Sequence, residues 1–430
     1  MAARPLLVDE LGIRFLFVQR RVNLTMTSKN IQSLYPRAQA VRALSNLEIE
    51  LERASSDDRA WLTEVCLGTL RWKGRLELAI DHFSKQKKPT GWLRKALLIG
   101  TYQLVVQDRR NPAAIVSETV DLIREHEGVA PAGFANAVLR KVSDTFLEWR
   151  NLEFPRGGSL AEQARWASAP EWMWKKLVKQ RGEEWTRKYF LSVLERPEIW
   201  LHSCEGFDAN AFAEPGTFRT AWKLKEQRGV TRLPGFEAGQ WIVQDISNQI
   251  LVNEVLKTAQ KVGLSHEMTV LDICAAPGGK SVALRWAGAE VSAYDVSVER
   301  VKLMQNTFVR TKTQDQIKIL SAAELESSSG FDLVWVDAPC TSSGVIRRHP
   351  EIKWTHEEKE ISDMSKSQAQ LIESGLTKVK RGGLFAYSVC SVFEEEAERH
   401  TERLKKDHEL VSELRLNPFD EPYGDGLYLS

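Results

Sequence analysis

The sequence predicts a doubly wound α/β domain with a mostly parallel sheet, preceded by an all-helical bundle and a small α+β subdomain. Two observations predict the α/β part. After Gly235, short apolar runs alternate with amphipathic stretches, the pattern of parallel strands buried between helices. A glycine-containing loop, Pro277-Gly-Gly-Lys-Ser281, also sits between such a run and the helix that follows it. The bundle is predicted by apolar residues at three- and four-residue steps from about Ile31 to Val142, for example Leu62, Cys66, Leu70 and Leu98, Tyr102, Val105.

Totals bound the rest. A chain of 430 residues has room for about three domains. We divide it into an extension over 1–30, expected to be poorly ordered, a bundle over 31–150, a linking subdomain over 151–235 and the α/β domain over 236–430. Met26 is an alternative start. Net charge is +1, so any affinity for nucleic acid must come from local patches. Five widely spaced cysteines without a CxxC pair indicate neither a disulfide framework nor a structural zinc site. That usage suits a reducing cytoplasm, and no metal is expected. No segment approaches about 18 consecutive apolar residues, so neither a transmembrane helix nor a signal peptide is expected.

In the bundle, Pro89-Thr90-Gly91 and Asn111-Pro112 read as breaks between helices. Lys85, Lys87, Lys88, Arg94 and Lys95 gather around Trp92. A solvated loop is the plainer explanation of that cluster, and phosphate contact the other. Residues 151–235 are rich in Trp and charge and punctuated by Pro155, Pro170, Pro197 and Pro215, which suits mixed helix and short strand.

In the α/β domain, Thr269–Ile273, Glu290–Tyr294, Ile317–Leu320, Phe331–Val336 and Gly383–Tyr387 read as strands. Ser281–Ala287, Val298–Val309 and Ser365–Val379 read as helices. Ligands of such sheets bind outside the carboxyl ends of the strands. The segment Asp272-Ile-Cys-Ala-Ala-Pro-Gly-Gly-Lys-Ser281 follows the first strand, and Gly278 and Gly279 allow a sharp turn and close approach to a ligand. A Walker loop would need Gly where Cys274 stands, and a GxGxxG loop starting at Gly278 would need Gly at Lys280. A small ligand with a carboxylate and an adenosine fits what remains. Asp295, ending the next strand, stands where a ribose diol is gripped; the plain alternative is a helix cap.

Two cysteines end strands on that same rim: Asp337-Ala-Pro-Cys340 and Ser388-Val-Cys390. A lone Cys is usually a small buried hydrophobe. Two on one rim, one of them just after an Asp, suit chemistry on a pyrimidine. Carbon 5 of cytosine is a poor nucleophile, but a thiolate added to carbon 6 converts the ring to an enamine that can attack a sulfonium methyl. Asp337 can bind or protonate the ring edge where charge develops. The second thiol can assist elimination.

DICAAPGGKS, DAPCTSSGVIRRHPEIKW and YSVCSV, in this order and spacing, resemble the RNA cytosine-5 methyltransferase family. Within it the chain is similar to the bacterial small-subunit ribosomal RNA methyltransferase B branch. Cys66–Arg71, Pro112–Val120 and Phe134–Arg140 resemble that branch's NusB-like RNA-binding domain, and Gly424-Asp-Gly-Leu-Tyr428 its closing strand. The resemblance implies a Rossmann-like class I methyltransferase domain with a seven-stranded sheet, S-adenosyl-L-methionine as cofactor and small-subunit ribosomal RNA as partner. A cytoplasmic monomer is expected.

By the same resemblance Cys390 is the nucleophile and Cys340 helps release the product, although DNA cytosine-5 methyltransferases use the Cys of a Pro-Cys pair, which would swap the two. The cofactor falls to Cys274, Ala275, Ala276, Pro277, Gly278, Gly279, Lys280, Asp295, Arg300, Ala322 and Asp337. The segment Val243–Ser247 resembles an active-site-lining motif, and its Gln244 and Asp245 are expected to contact RNA. Arg347, Arg348 and Lys353 are expected to contact RNA, with internal Arg–Asp pairing as the alternative. His349 reads as loop packing, and the acidic run Glu394–Glu398 as a helix start.

Three positions depart from the family pattern. Val389 replaces the usual Thr, no Asp stands near Ala322, and Phe393-Glu394 replaces Leu-Pro. These departures motivate a competing reading, a catalytically decayed RNA-binding or ribosome-assembly protein. A DNA substrate is a lesser alternative.

Overall fold

The computed structural model describes residues 36–84, 88–107, 110–226, 229–422 and 424–430. The expected extension over 1–30, and Lys85 and Lys87 of the basic cluster, lie outside the described residues.

Among the described residues, seven helices make the bundle: α1 (Pro36–Ala43), α2 (Leu47–Arg53), α3 (Ser56–Ser84), α4 (Gly91–Val105), α5 (Pro112–Glu127), α6 (Val129–Asp144) and α7 (Phe146–Arg150). Asn111 caps α5 by accepting from the Ala113 amide, with Pro112 in the first turn where its missing N–H costs nothing. Leu62, Cys66, Leu97, Tyr102 and Leu139 meet in one core. Gly68 permits the crossing of α3 and α4, since a Cβ there would lie 2.1 Å from the Tyr102 ring. Burial pushes the Cys66 thiol up to about 12, as suits a packing cysteine. Arg94 pairs with Asp81 at 2.5 Å, and Trp92 stacks on His126 at 3.9 Å, so these members of the basic cluster are engaged within the bundle.

Three helices follow, α8 (Leu160–Trp166), α9 (Glu171–Arg181) and α10 (Glu183–Ser192). Next comes a four-stranded sheet of β1 (Trp200–Ser203), β2 (Ala213–Pro215), β3 (Ala221–Leu224) and β4 (Trp241–Val243) in the order β2-β3-β1-β4. β4 pairs antiparallel with β1, so Trp241–Val243, beyond residue 235, belongs to the same sheet. The turn glycines at 235 and 239 lead into its last strand, and Trp241 is fully buried there.

The remaining chain forms the α/β domain: α11 (Ile246–Lys261), β5 (Thr269–Ile273), α12 (Gly279–Trp286), β6 (Glu290–Tyr294), α13 (Val298–Arg310), β7 (Ile317–Ile319), α14 (Ala322–Ser327), β8 (Phe331–Asp337), α15 (Ile352–Thr355), α16 (Lys359–Leu376), β9 (Val379–Val389), α17 (Glu398–Leu404), β10 (Leu414–Leu416) and β11 (Leu427–Leu429). The sheet has seven strands in the order β10-β11-β9-β8-β5-β6-β7. β5 to β9 are parallel, while β10 and β11 are antiparallel. This is the Rossmann-like sheet the sequence predicts. α16 begins earlier than expected because its first turns are polar and carry little apolar periodicity. Among the described residues no helix is long and apolar enough to cross a membrane.

The linking helices do not stand apart from this domain. Trp166, Trp174, Tyr189 and Phe190 share one apolar cluster with Ile346, Ile361, Val392 and Phe393. Phe393, one of the three departures, is therefore fully buried against the linker helices and stacks near Trp172 at 6.0 Å.

Candidate active site

The carboxyl ends of β5, β6, β8 and β9 bring the expected site residues to one rim. At β5 the chain turns through Cys274 at φ +63° and Gly278 at φ +95°, both left-handed. A Cβ at Gly278 would lie 2.7 Å from the Phe308 ring, so glycine is required by packing as well as by the turn. The Ala275 amide donates to the Tyr294 carbonyl at 3.0 Å, tying the loop to the end of β6. α12 then opens at Gly279, where first-turn amides have no partner within the helix.

Asp295 faces this loop. Its Oδ2 accepts from the Ala276 amide at 3.2 Å and its Oδ1 from the Ser297 amide at 3.0 Å. Arg300 reaches the Ala276 carbonyl at 2.7 Å and Asp295 at 3.4 Å. The helix cap weighed as the plain alternative falls to Ser297, which accepts from the Arg300 amide, so Asp295 is not the cap, and its carboxylate keeps acceptor capacity for a further donor. Beneath the loop, Asp272 is fully buried. Its Oδ2 accepts from Ser281 Oγ at 2.6 Å, while Oδ1 has no hydrogen-bond partner. Burial pushes this carboxyl up to about 7. A helix start suits a carboxylate, an acidic strand end a diol and an orphaned buried acceptor a donor, so the rim can hold a small ligand carrying these groups. Ala322 lies in the first turn of α14, where Ser321 and Glu324 form a capping box in place of the family's Asp.

The reactive groups lie at β8 and β9. Cys340 Sγ and Cys390 Sγ are 3.2 Å apart. The hydrogen bond from the Cys340 thiol holds Cys390 below the usual thiol range. The Ser342 hydroxyl, 3.7 Å away, and the Lys280 ammonium act in the same direction, against burial and Asp337. Cys340 is correspondingly raised by that hydrogen bond, by burial and by Glu396. Lys280 donates to Asp337 Oδ2 and to Asn248 Oδ1, each at 2.7 Å. Burial alone would lower this ammonium, but Asp337 and Asp272 offset it and hold it above its ordinary value. Ser388 Oγ donates to Asp337 Oδ1 at 2.7 Å and accepts from Trp335 Nε1 at 2.8 Å, so both carboxylate oxygens are fixed. Val389 is fully buried in an apolar cluster with Tyr387 and Tyr428, on the face of β9 opposite Ser388. The missing Thr hydroxyl would therefore point into that core.

The residues expected to contact RNA are placed differently. Lys353 is fully buried, donating to the carbonyls of Arg71 at 2.9 Å and Ser168 at 2.7 Å. Arg347 is buried and donates to the Gly424 carbonyl, while Arg348 pairs with buried Asp425. Gln244 is buried against His202 at 2.6 Å, and Asp245 caps α11 and accepts from the Asp425 amide at 2.9 Å. These five residues form no exposed patch. They brace the cleft from behind, because their polar groups are spent on backbone carbonyls and amides, a carboxylate and a ring nitrogen inside the protein. Arg348 pairs with an aspartate, but with Asp425 from the end of the chain rather than with one inside its own loop, where the alternative reading places it.

Three supporting residues were not singled out from sequence: Asn248, Ser388 and Glu396. The acidic run was read as a helix start, but Glu394–Glu396 forms a 3-10 turn whose last residue is fully buried. Glu396 accepts from Thr341 and Ser391, the neighbours of the two cysteines. Among the four acidic residues within 394–398, nothing in spacing marks the one that turns inward.

Comparison with known proteins agrees with this architecture. The profile of the family described as 16S rRNA methyltransferase RsmB/F matches residues 259–426, and that of the NusB family residues 23–144. The crystal structure of PH0851 superposes with a TM-score of 0.67 at 22% identity, covering 92% of this chain and 98% of that one. A methyltransferase homolog protein from Pyrococcus horikoshii superposes at 0.51 and 19% identity, covering 63% and 97%. Proteins named ribosomal RNA small subunit methyltransferase B, from Yersinia pseudotuberculosis and Yersinia pestis, are 30% identical over 389 residues, 85% of this chain and 86% of theirs. With a NusB-like bundle before a Rossmann-like sheet, and that extent of identity, the chain belongs to the ribosomal RNA small subunit methyltransferase B family and is an rRNA methyltransferase.

Proposed function

We propose that this enzyme methylates carbon 5 of a cytosine in small-subunit ribosomal RNA, with Cys390 as nucleophile and S-adenosylmethionine as donor. The observation that carries the reading is the 3.2 Å contact between Cys340 and Cys390 beside the Lys280–Asp337 pair. At that distance one thiol can donate to the other, which supports a division into a proton holder and a nucleophile.

Cys390, as thiolate, adds to carbon 6, and the ring electrons move toward carbon 5 and the N3–amino edge. Asp337, held by Lys280 and Ser388, is placed to bind that edge as its charge changes. The sulfonium donor supplies an electrophilic methyl group. Once carbon 5 carries the methyl, loss of its proton to solvent restores the carbon 5–carbon 6 double bond and breaks the carbon–sulfur bond. The Cys340 thiol, aimed at the departing sulfur, stabilises it as thiolate.

The test is incubation with labelled S-adenosylmethionine and undermodified small-subunit ribosomal RNA, followed by nucleoside analysis. Label in 5-methylcytosine is the expected result, and its absence from that nucleoside would count decisively against the reading. A decayed RNA-binding protein would instead bind the RNA without turnover.

A further inference from the structure

Glu396 is fully buried, and four donors converge on its carboxylate. Oε1 accepts from the Thr341 amide at 2.8 Å and Gln368 Nε2 at 3.1 Å. Oε2 accepts from Thr341 Oγ1 at 2.5 Å and Ser391 Oγ at 2.6 Å. Thr341 follows Cys340 and Ser391 follows Cys390. A single side chain thus bonds both cysteine loops, which leave different strands of the sheet. Other ties join the loops further along, from the Gly344 amide to the Cys390 carbonyl at 2.9 Å and from the Val392 amide to Ser343 Oγ at 3.0 Å, while next to the cysteines themselves Gln368 holds the Pro339 carbonyl at 2.8 Å and Glu396 holds the Thr341 amide. The turn that carries Glu396 is itself held, because Tyr387 Oη donates to the Glu396 carbonyl at 2.7 Å and Ser365 Oγ to the Glu395 carbonyl at 2.8 Å. A buried carboxylate is kept only when its lone pairs are satisfied, and here all of the satisfying groups belong to the cysteine loops or to the helix behind them.

We propose that Glu396 is a positioning residue for methyl transfer, yoking the two cysteine loops so that the sulfurs stay in contact. Its carboxylate, bonded to the residues after both cysteines, also raises the Cys340 thiol, which favours the proton on Cys340. The inference rests on the cysteine chemistry proposed above and names a further part of the same site.

The experiment uses the full chain with Glu396→Gln, which keeps the shape and removes the charge, and Glu396→Ala, which removes the yoke. Thermal unfolding and S-adenosylmethionine binding report whether each variant is folded. Expected are a loss of kcat of about a hundredfold in Glu396→Ala with KM for RNA little changed, since misplacement of a reacting group by about 1 Å has such an effect. Iodoacetamide labelling read by mass spectrometry should fall mainly on Cys390 in the wild type and spread to Cys340 in Glu396→Gln, a change that a merely structural role would not produce. Thr341→Ser should retain activity and Thr341→Val lose it. Folded, cofactor-binding Glu396 variants that turn over and label like the wild type would refute the yoke while leaving the methylation reading intact. A wild type that makes no 5-methylcytosine would remove both. If Glu396→Ala does not fold, Glu396→Gln and Thr341→Val decide by the same readouts.

Discussion

Arg71, in the middle of α3, donates both Nε (3.1 Å) and Nη2 (2.7 Å) to the carbonyl of Arg347, on the loop that follows Cys340. The contact is returned, since Lys353 donates to the Arg71 carbonyl and Trp354 Nε1 to that of Leu70 at 2.8 Å. The NusB-like bundle is therefore interlocked with the catalytic loop rather than tethered beside it.

Lys353→Met should destabilise the chain by about 1–3 kcal/mol, the cost of leaving buried carbonyls without their donor. Burial, with Arg71, Lys73 and Arg75 nearby, holds the Lys353 ammonium well below its usual range. The unfolded chain then binds more protons, so this residue's contribution to stability rises with pH between the lowered folded value and the ordinary lysine value. Urea unfolding across alkaline pH checks both points: the wild type should gain relative to Lys353→Met, and a constant difference would contradict the assignment.

The Asp272 carboxyl, pushed up to about 7 by burial, makes the opposite demand. Its folded value exceeds its unfolded one, so its stabilising contribution is complete in acid and declines as pH rises from about 4 to about 7. Asp272→Asn should abolish that decline, which amounts to at most about 4 kcal/mol at 1.36 kcal/mol per unit. Parallel pH–stability curves for the two proteins would dismiss the idea.

Cys390→Ala should abolish turnover, and Cys340→Ala should accumulate a covalent protein–RNA adduct visible as a denaturation-resistant band. The reverse pattern would exchange the roles of the two thiols.

Lys280→Met removes a cation that favours the Cys390 thiolate. The pH at which Cys390 reaches half-maximal alkylation should rise, and activity should fall together with it, because Asp337 also loses its ion-pair partner. An unchanged alkylation profile would show that the Cys340 hydrogen bond alone sets the thiol.

The alternation of apolar runs after Gly235 was sufficient for the sheet, because parallel strands buried on both faces must be nearly all apolar. The glycine loop and the two strand-end cysteines were legible for a related reason. Topology sends every parallel strand's carboxyl end to the same rim, so residues far apart in sequence share it before any contact is known. Charges were misread where the tertiary structure decides their surroundings. Arg347 and Lys353 look like a basic loop for RNA, and only packing against α3 and α8 turns them inward. Glu396 looks like one acidic residue in a polar run, and only the meeting of two loops with α16 supplies its four donors.

The sequence by itself determined the fold class, the rim and the chemical types gathered there, since periodicity and strand order are local or topological properties. Only the tertiary structure decided the 3.2 Å sulfur contact, the burial of the basic loop and the inward turn of Glu396. A long polar side chain costs little in water or when fully bonded inside, and which of the two it meets depends on segments that the local sequence does not contain.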